Sequence, residues 1–356
     1  MLASRMQTHR LISRTPSSWR TLLATLGLAG AAATPAIAAD DGLMKDVTFG
    51  DYAAAASSSE LARRLLTPLA FERIRPRLAN AKAQPLDLAQ ERFVVYVQRG
   101  VPPPEGYGLL VFIPPWPEAA LPKDWPHVLD RHGMIFVSAA RSGNDADTLD
   151  RRIPLALLGH ENIRRRYAID PARTYVGGLS GGSRVALRVA LAYPDIFRGA
   201  LLNAGSDPLG GDGIALPPAD LFRRFQDSTR LVFVTGDRDE VNLHNDLVSR
   251  ASLRDGCVFA VASVTMPHTG HAIADAAGLE RALKALDAPS APDAAKLARC
   301  RADVERSLAV KTADAEAAIA AGDRVRASAI LNAIDARFGG EAATQIAALR
   351  SKLGSR

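Results

Sequence analysis

The chain has 356 residues, 47% apolar and 23% charged, with 22 Pro and 27 Gly spread along it. That length fits one large domain or one domain with an appendage, and that balance excludes a disordered chain or a simple repeat array. The formal charge of +6 invites a nucleic-acid reading, but residues 1–38 hold Arg5, Arg10, Arg14 and Arg20 and no acid, so +2 remains from Ala39 onward and no nucleic-acid partner is expected.

The first 38 residues read as a secretory signal. Arginines precede an apolar run from Leu22 to Ala33, and Ala36-Ile37-Ala38 offers the small-x-small cleavage pattern. A membrane span needs about 20 apolar residues, and this run is shorter and rich in Ala and Gly. The mature chain is expected to be secreted or periplasmic, with no stable membrane insertion. Such an environment lets the only two cysteines, Cys257 and Cys300, pair; two buried thiols are the alternative. The seven histidines show no metal-ligand spacing, so no metal and no cofactor is expected.

Residues 39–91 form an Ala/Ser-rich leader with an amphipathic helical stretch, Ser59 to Leu78, which Pro68 should kink or divide. From Arg92 to about 288 the period changes. Short apolar runs bounded by turn residues, at Phe93–Val97, Leu109–Ile113, Met134–Val137, Thr174–Val176, Gly199–Leu202, Leu231–Val234 and Val258–Val261, read as strands buried on both faces. Helical patterns fall between several of them, most clearly Leu155–Tyr167 and Ser183–Tyr193, which predicts a mostly parallel α/β sheet flanked by helices. Arg164-Arg165-Arg166 covers much of one helix circumference and reads as a solvated face. After Pro292, residues 293–356 lack strand signals. Helical stretches Asp293–Ala309, Ala313–Ala321, Arg324–Arg337 and Glu341–Leu353 are punctuated by Gly322 and Gly339-Gly340. Such a tail either packs on its own body or presents its helices to a protein partner.

The sharpest chemical signal is Gly178-Leu179-Ser180-Gly181-Gly182, a G-x-S-x-G between a predicted strand and a predicted helix, the setting of a nucleophile elbow. Glycines two residues either side relieve crowding around a strained nucleophile, and the helix aims its first N–H groups at Ser180. A serine needs a base and a group to orient that base. The strand Leu231–Val234 runs into Thr235-Gly236-Asp237-Arg238-Asp239, where Asp239 is favoured as the acid and Asp237 and Glu240 compete. After the last strand comes Pro267-His268-Thr269-Gly270-His271, where His271 is favoured as the base and His268 is second. For an oxyanion hole the donors are the N–H of Gly181 and that of Trp116, the only residue of the loop Pro114-Pro115-Trp116-Pro117 with an N–H to offer.

With these motifs the chain resembles the α/β-hydrolase superfamily, and within it secreted esterases related to polyhydroxybutyrate depolymerases and feruloyl esterases. The residues that carry the likeness are Ile169 to Gly182, Thr235 to Asp239 and Gly270-His271. The resemblance spans about Arg92 to Leu286. It implies an α/β-hydrolase fold and serine-dependent cleavage of small or polymeric esters through an acyl-enzyme, with Ser180, Asp239 and His271 as triad. The chain departs from the family at Pro114-Pro115, where relatives carry His-Gly, and in its helical tail. Two rival readings share the same residues: a secreted serine peptidase, and a binding protein that works through the tail.

Overall fold

Runs of β-branched and aromatic residues form the strands because alternate side chains bury into layers on both faces of one sheet. Phe93, Val95 and Val97 enter one core and Val94 the other; Leu109, Val111 and Ile113 likewise oppose Leu110 and Phe112. The computed structural model describes residues 42–288 and 293–354, so the proposed export signal lies outside it. Its eight strands are β1 (Gly42–Val47), β2 (Phe93–Val97), β3 (Tyr107–Ile113), β4 (Met134–Ala139), β5 (Ile169–Leu179), β6 (Gly199–Asn203), β7 (Arg230–Gly236) and β8 (Val261–Met266). They lie in the order β1-β2-β4-β3-β5-β6-β7-β8. β1 and β2 pair antiparallel, as do β2 and β4, and the remaining ladders are parallel. Side chains from α4 (Ile153–Arg166), α5 (Gly181–Ala192), α6 (Ala219–Ser228) and α7 (Glu240–Asp255) fill one core; those of α3 (Pro126–Arg131) and α8 (Ala276–Asp287) fill the other.

The leader is not wholly helical. β1 adds an antiparallel edge strand that the sequence reading lacked, because Lys45 and Asp46 interrupt its apolar pattern and Leu43 stays exposed, as an edge allows. Pro68 divides the following stretch into α1 (Ser58–Leu65) and α2 (Pro68–Leu78): it stands at the first turn of α2, where its missing N–H costs nothing, and Thr67 caps that turn. β8 begins three residues later than predicted. Cys257 turns left-handed at φ 62° and Val258 donates its N–H back to Leu253, so this apolar segment closes α7 before the strand starts. The arginine run on α4 is engaged locally: Arg164 and Arg165 both bond Glu161, and Arg166 lies over the Phe49 ring.

The tail consists of α9 (Ala294–Ala320), α10 (Arg324–Phe338) and α11 (Ala343–Gly354). α9 runs unbroken through Val310–Thr312, where two helices had been expected, since no Gly or Pro interrupts it and the Thr312 hydroxyl bonds the Leu308 carbonyl. The three helices share a core around Leu308, Ile319, Leu331, Ile334 and Phe338. They also dock on the sheet body: Leu69 N–H donates to Asp335 at 3.0 Å, Gly211 N–H to the Ala336 carbonyl at 2.7 Å, and Arg301 to Gln226 at 2.7 Å. A disulfide joins Cys257 to Cys300, 43 residues apart. By chain entropy, closing a loop of that size is worth about 4 kcal/mol. Serine at both positions is therefore expected to lower the urea-unfolding free energy by about that amount, and an unchanged midpoint would show that the tail is held by its other contacts alone.

Candidate active site

The β5–α5 turn holds Ser180 at φ 55° and ψ −119°, a conformation that non-glycine residues adopt only when their surroundings enforce it. Here they do. Ser180 N–H donates to the Asn203 carbonyl on β6 at 2.8 Å, and Arg184 N–H bonds the Ser180 carbonyl as the first helical bond of α5. The flanking glycines are obligatory: a Cβ on Gly182 would stand 1.9 Å from the Ile113 carbonyl oxygen, and one on Gly178 2.3 Å from the Gly182 carbonyl carbon. Only backbone fits between β3, β5 and α5, so the turn is sharp enough to leave the hydroxyl-bearing residue at its apex.

One strand further on, Gly236 ends β7, and a Cβ there would meet the Thr269 carbonyl oxygen at 2.1 Å. The acid loop and the histidine loop are thus packed backbone to backbone. Asp237 seals that contact: exposed, it accepts the N–H groups of His268 at 2.9 Å and Thr269 at 3.1 Å. The bond from His268 is the main reason its carboxyl titrates below the ordinary range. Asp239 is buried and caps α7, and its Oδ2 lies 2.7 Å from His271 Nδ1. Burial alone would raise its pKa, but hydrogen bonds from His271 and Asn242 outweigh this, and the carboxyl sits below its usual value. It is ionised at neutral pH, and a carboxylate at that distance favours the neutral tautomer with its proton on Nδ1, the one whose Nε2 can accept a proton. Glu240 is exposed in the first turn of α7, and His268 is exposed at φ 55° with Arg238 at 3.5 Å from its Nδ1. The structure brings together Asp239 and His271 from the candidates, and assigns Asp237 and His268 to the loop's own framework.

Three further residues matter that the motifs did not reveal. Asn242 sends its Nδ2 to both Asp239 oxygens, at 3.0 and 2.9 Å, and fixes the plane of the carboxylate. Its only sequence signal is its place three residues after a helix-capping Asp. Asn203 is fully buried at the end of β6: its carbonyl takes the Ser180 N–H, its Nδ2 donates to the Val234 and Ala272 carbonyls, and its Oδ1 accepts from Ala274 N–H. One residue, through its backbone on one side and its side chain on the other, therefore ties the serine turn to the segment directly after His271. Asp246 is buried beneath, taking the Ser206 hydroxyl at 2.7 Å and the Thr235 hydroxyl at 2.6 Å, and burial raises its pKa.

On the other side of Ser180, Gly181 opens α5, where first-turn N–H groups have no intrahelical acceptor. The loop carrying Trp116 is held from beneath by buried Arg152, which donates to the Pro114 and Ser142 carbonyls at 2.9 Å. Asn144, whose N–H bonds the Pro115 carbonyl, extends its side chain over Gly181, so that a Cβ on Gly181 would lie 2.1 Å from Asn144 Oδ1. Glu91, buried between Arg151 and Arg141, anchors the segment that follows β4. Among the described residues, no group of three His, Cys, Asp or Glu is placed to hold a metal ion.

A mixed sheet wound in this order, with two antiparallel ladders at one edge and a strained serine between the fifth strand and its helix, is an α/β-hydrolase fold. No family model matches the chain. It is similar to the poly(3-hydroxybutyrate) depolymerase of Ralstonia pickettii, 29% identical over 99 residues, covering 24% of this chain and 20% of that one. It is also similar to the poly(3-hydroxyalkanoate) depolymerase C of Paucimonas lemoignei, 44% identical over 45 residues, covering 13% of this chain and 11% of that one. The chain thus matches a fifth or less of each curated relative's length. Among solved structures, a ferulic acid esterase superposes with a TM-score of 0.43 and 16% identity, over 55% of this chain and 91% of the other.

Proposed function

We propose that the chain is an exported serine hydrolase of carboxylic esters, with Ser180 as nucleophile, His271 as general base and acid, and Asp239 as the group that orients the imidazole. The observation that carries this reading is the 2.7 Å contact between Asp239 and His271 Nδ1, linked through Asn203 to a serine in elbow geometry. Ser180 Oγ adds to the ester carbonyl carbon while its proton passes to His271 Nε2. The N–H groups of Gly181 and Trp116 stabilise the resulting oxyanion, and the alcohol leaves with the histidine's proton. Water, deprotonated by the same imidazole, then releases the acid from the acyl-enzyme. The His271 side chain is 47% exposed, which suits bulky or polymeric esters that a closed pocket would refuse. Similarity to depolymerases supports a polyester of hydroxy acids as the substrate class.

Residues 1–38 would direct export and be removed, leaving a leader of residues 39–91, a catalytic body of 92–288 and the tail of 293–356. No helix among the described residues is long and apolar enough to cross a membrane. A fluorophosphonate probe is expected to label the purified protein on Ser180, identified by peptide mass. Labelling that persists undiminished in Ser180→Ala overturns the assignment.

A further inference from the structure

α2 is an eleven-residue helix that carries Leu69, Phe71 and Ile74 and yet buries none of its residues. Part of its apolar face looks into a cavity of about 350 Å³ shared with α11, where Leu66, Pro68, Leu69 and Phe71 oppose Ile346 and Ala347. That volume lies in the range of small-molecule sites, in which apolar walls take the body of a ligand and a few polar groups set its orientation. A second cleft, of about 520 Å³, adjoins it through Leu69 and Arg350 and is polar, lined by Arg73, Ser328, Asn332 and Asp335.

The charges around the two spaces do not cancel. Arg63 is bound to Glu60 at 2.8 Å, and Glu72 to Arg75 at 3.0 Å. Asp335 is buried and accepts the Leu69 N–H. Arg73 and Arg350 have no carboxylate partner among the described residues, and both face the polar cleft. An apolar cavity whose shared wall carries one of two uncommitted guanidinium groups is complementary to an apolar chain that ends in an anion. A guanidinium fork matches the two oxygens of a carboxylate.

We propose that this paired cleft between α2 and the C-terminal helices binds an aliphatic carboxylate, with its chain against Leu66, Phe71 and Ile346 and its head at Arg350 and Arg73. This site is separate from Ser180, so it stands or falls independently of the proposed hydrolase activity.

Calorimetric titration of the full-length protein tests it. From butanoate to hexanoate to octanoate, affinity is expected to rise about fourfold for each added methylene, the factor equivalent to burying one CH₂. Octanoate should bind at least about tenfold more tightly than octanol or octylammonium. The double variant Arg73→Gln/Arg350→Gln should lose about tenfold or more toward octanoate, and Ala347→Phe, which fills the cavity while keeping both guanidinium groups, should abolish binding. Ser180→Ala should bind as the unaltered protein does. The proposal is overturned by the absence of saturable octanoate binding, by equal affinity for octanol or octylammonium, or by unchanged octanoate affinity in either the double variant or Ala347→Phe.

Discussion

Alanine at His271 is expected to lower kcat for a short p-nitrophenyl ester by about 10⁶-fold, whereas alanine at His268 is expected to cost about tenfold or less. The two histidines lie three residues apart on one loop, and their surroundings differ in kind. His271 Nδ1 lies 2.7 Å from a buried carboxylate that is itself held by Asn242, so its ring orientation is determined from behind. His268 contributes mainly its backbone: its N–H closes the turn on Asp237, and its exposed ring approaches only Arg238, at 3.5 Å. On the proposed mechanism, removing the first ring deprives the serine of its base, while removing the second leaves the loop's backbone bonds in place. Steady-state kinetics of both variants decide the matter, and the reverse ranking would move the base to His268 and require a different acid.

How far this arrangement was legible in the sequence follows from what each residue does. Gly178 and Gly182 announce the elbow because close approach to Ile113 forbids any side chain there, a constraint that shows directly as residue type. Strand-end Asp239 and loop His271 were legible as candidates because their order along the chain matches the order in which the strands bring them to one edge. Asn203 and Asn242 were not, because asparagine at a strand end or in a first helical turn has many ordinary uses. Their contacts, to Ala272, Ala274 and Asp239, appear only once the chain is folded. The misplaced elements have a common cause. β1 and β8 lie at the sheet's edges, where one-sided burial replaces the continuous apolar run with alternation: in β8, Val264 and Met266 are buried while Ser263 and Thr265 face solvent. The uninterrupted α9 reflects the converse problem, since β-branched Val310 and Thr312 are weak helix formers but no helix stop without Gly or Pro.

The two aspartates beyond β7 give the second large contrast. Asp239→Asn is expected to lower kcat by about 10⁴-fold with little change in KM, the size of loss seen when the orienting acid of a triad becomes an amide. The amide can accept with only one oxygen, yet at Asp239 both oxygens are in use: Oδ2 toward His271 and both toward Asn242. An NH₂ on either side would oppose a donor, so the imidazole would turn or take the tautomer with its proton on Nε2, where it can no longer accept from Ser180. Asp237→Asn has a milder consequence, because one amide oxygen still accepts from His268 or Thr269 and the remaining donor is exposed to water. Its kcat is expected to fall less than about tenfold. Because Asp239 titrates below its ordinary value, the unaltered protein should keep this acid ionised well below neutral pH. If Asp239→Asn retained near-normal kcat while Asp237→Asn lost several orders of magnitude, the orienting role would belong to the exposed aspartate, and Asp239 would serve only to cap α7.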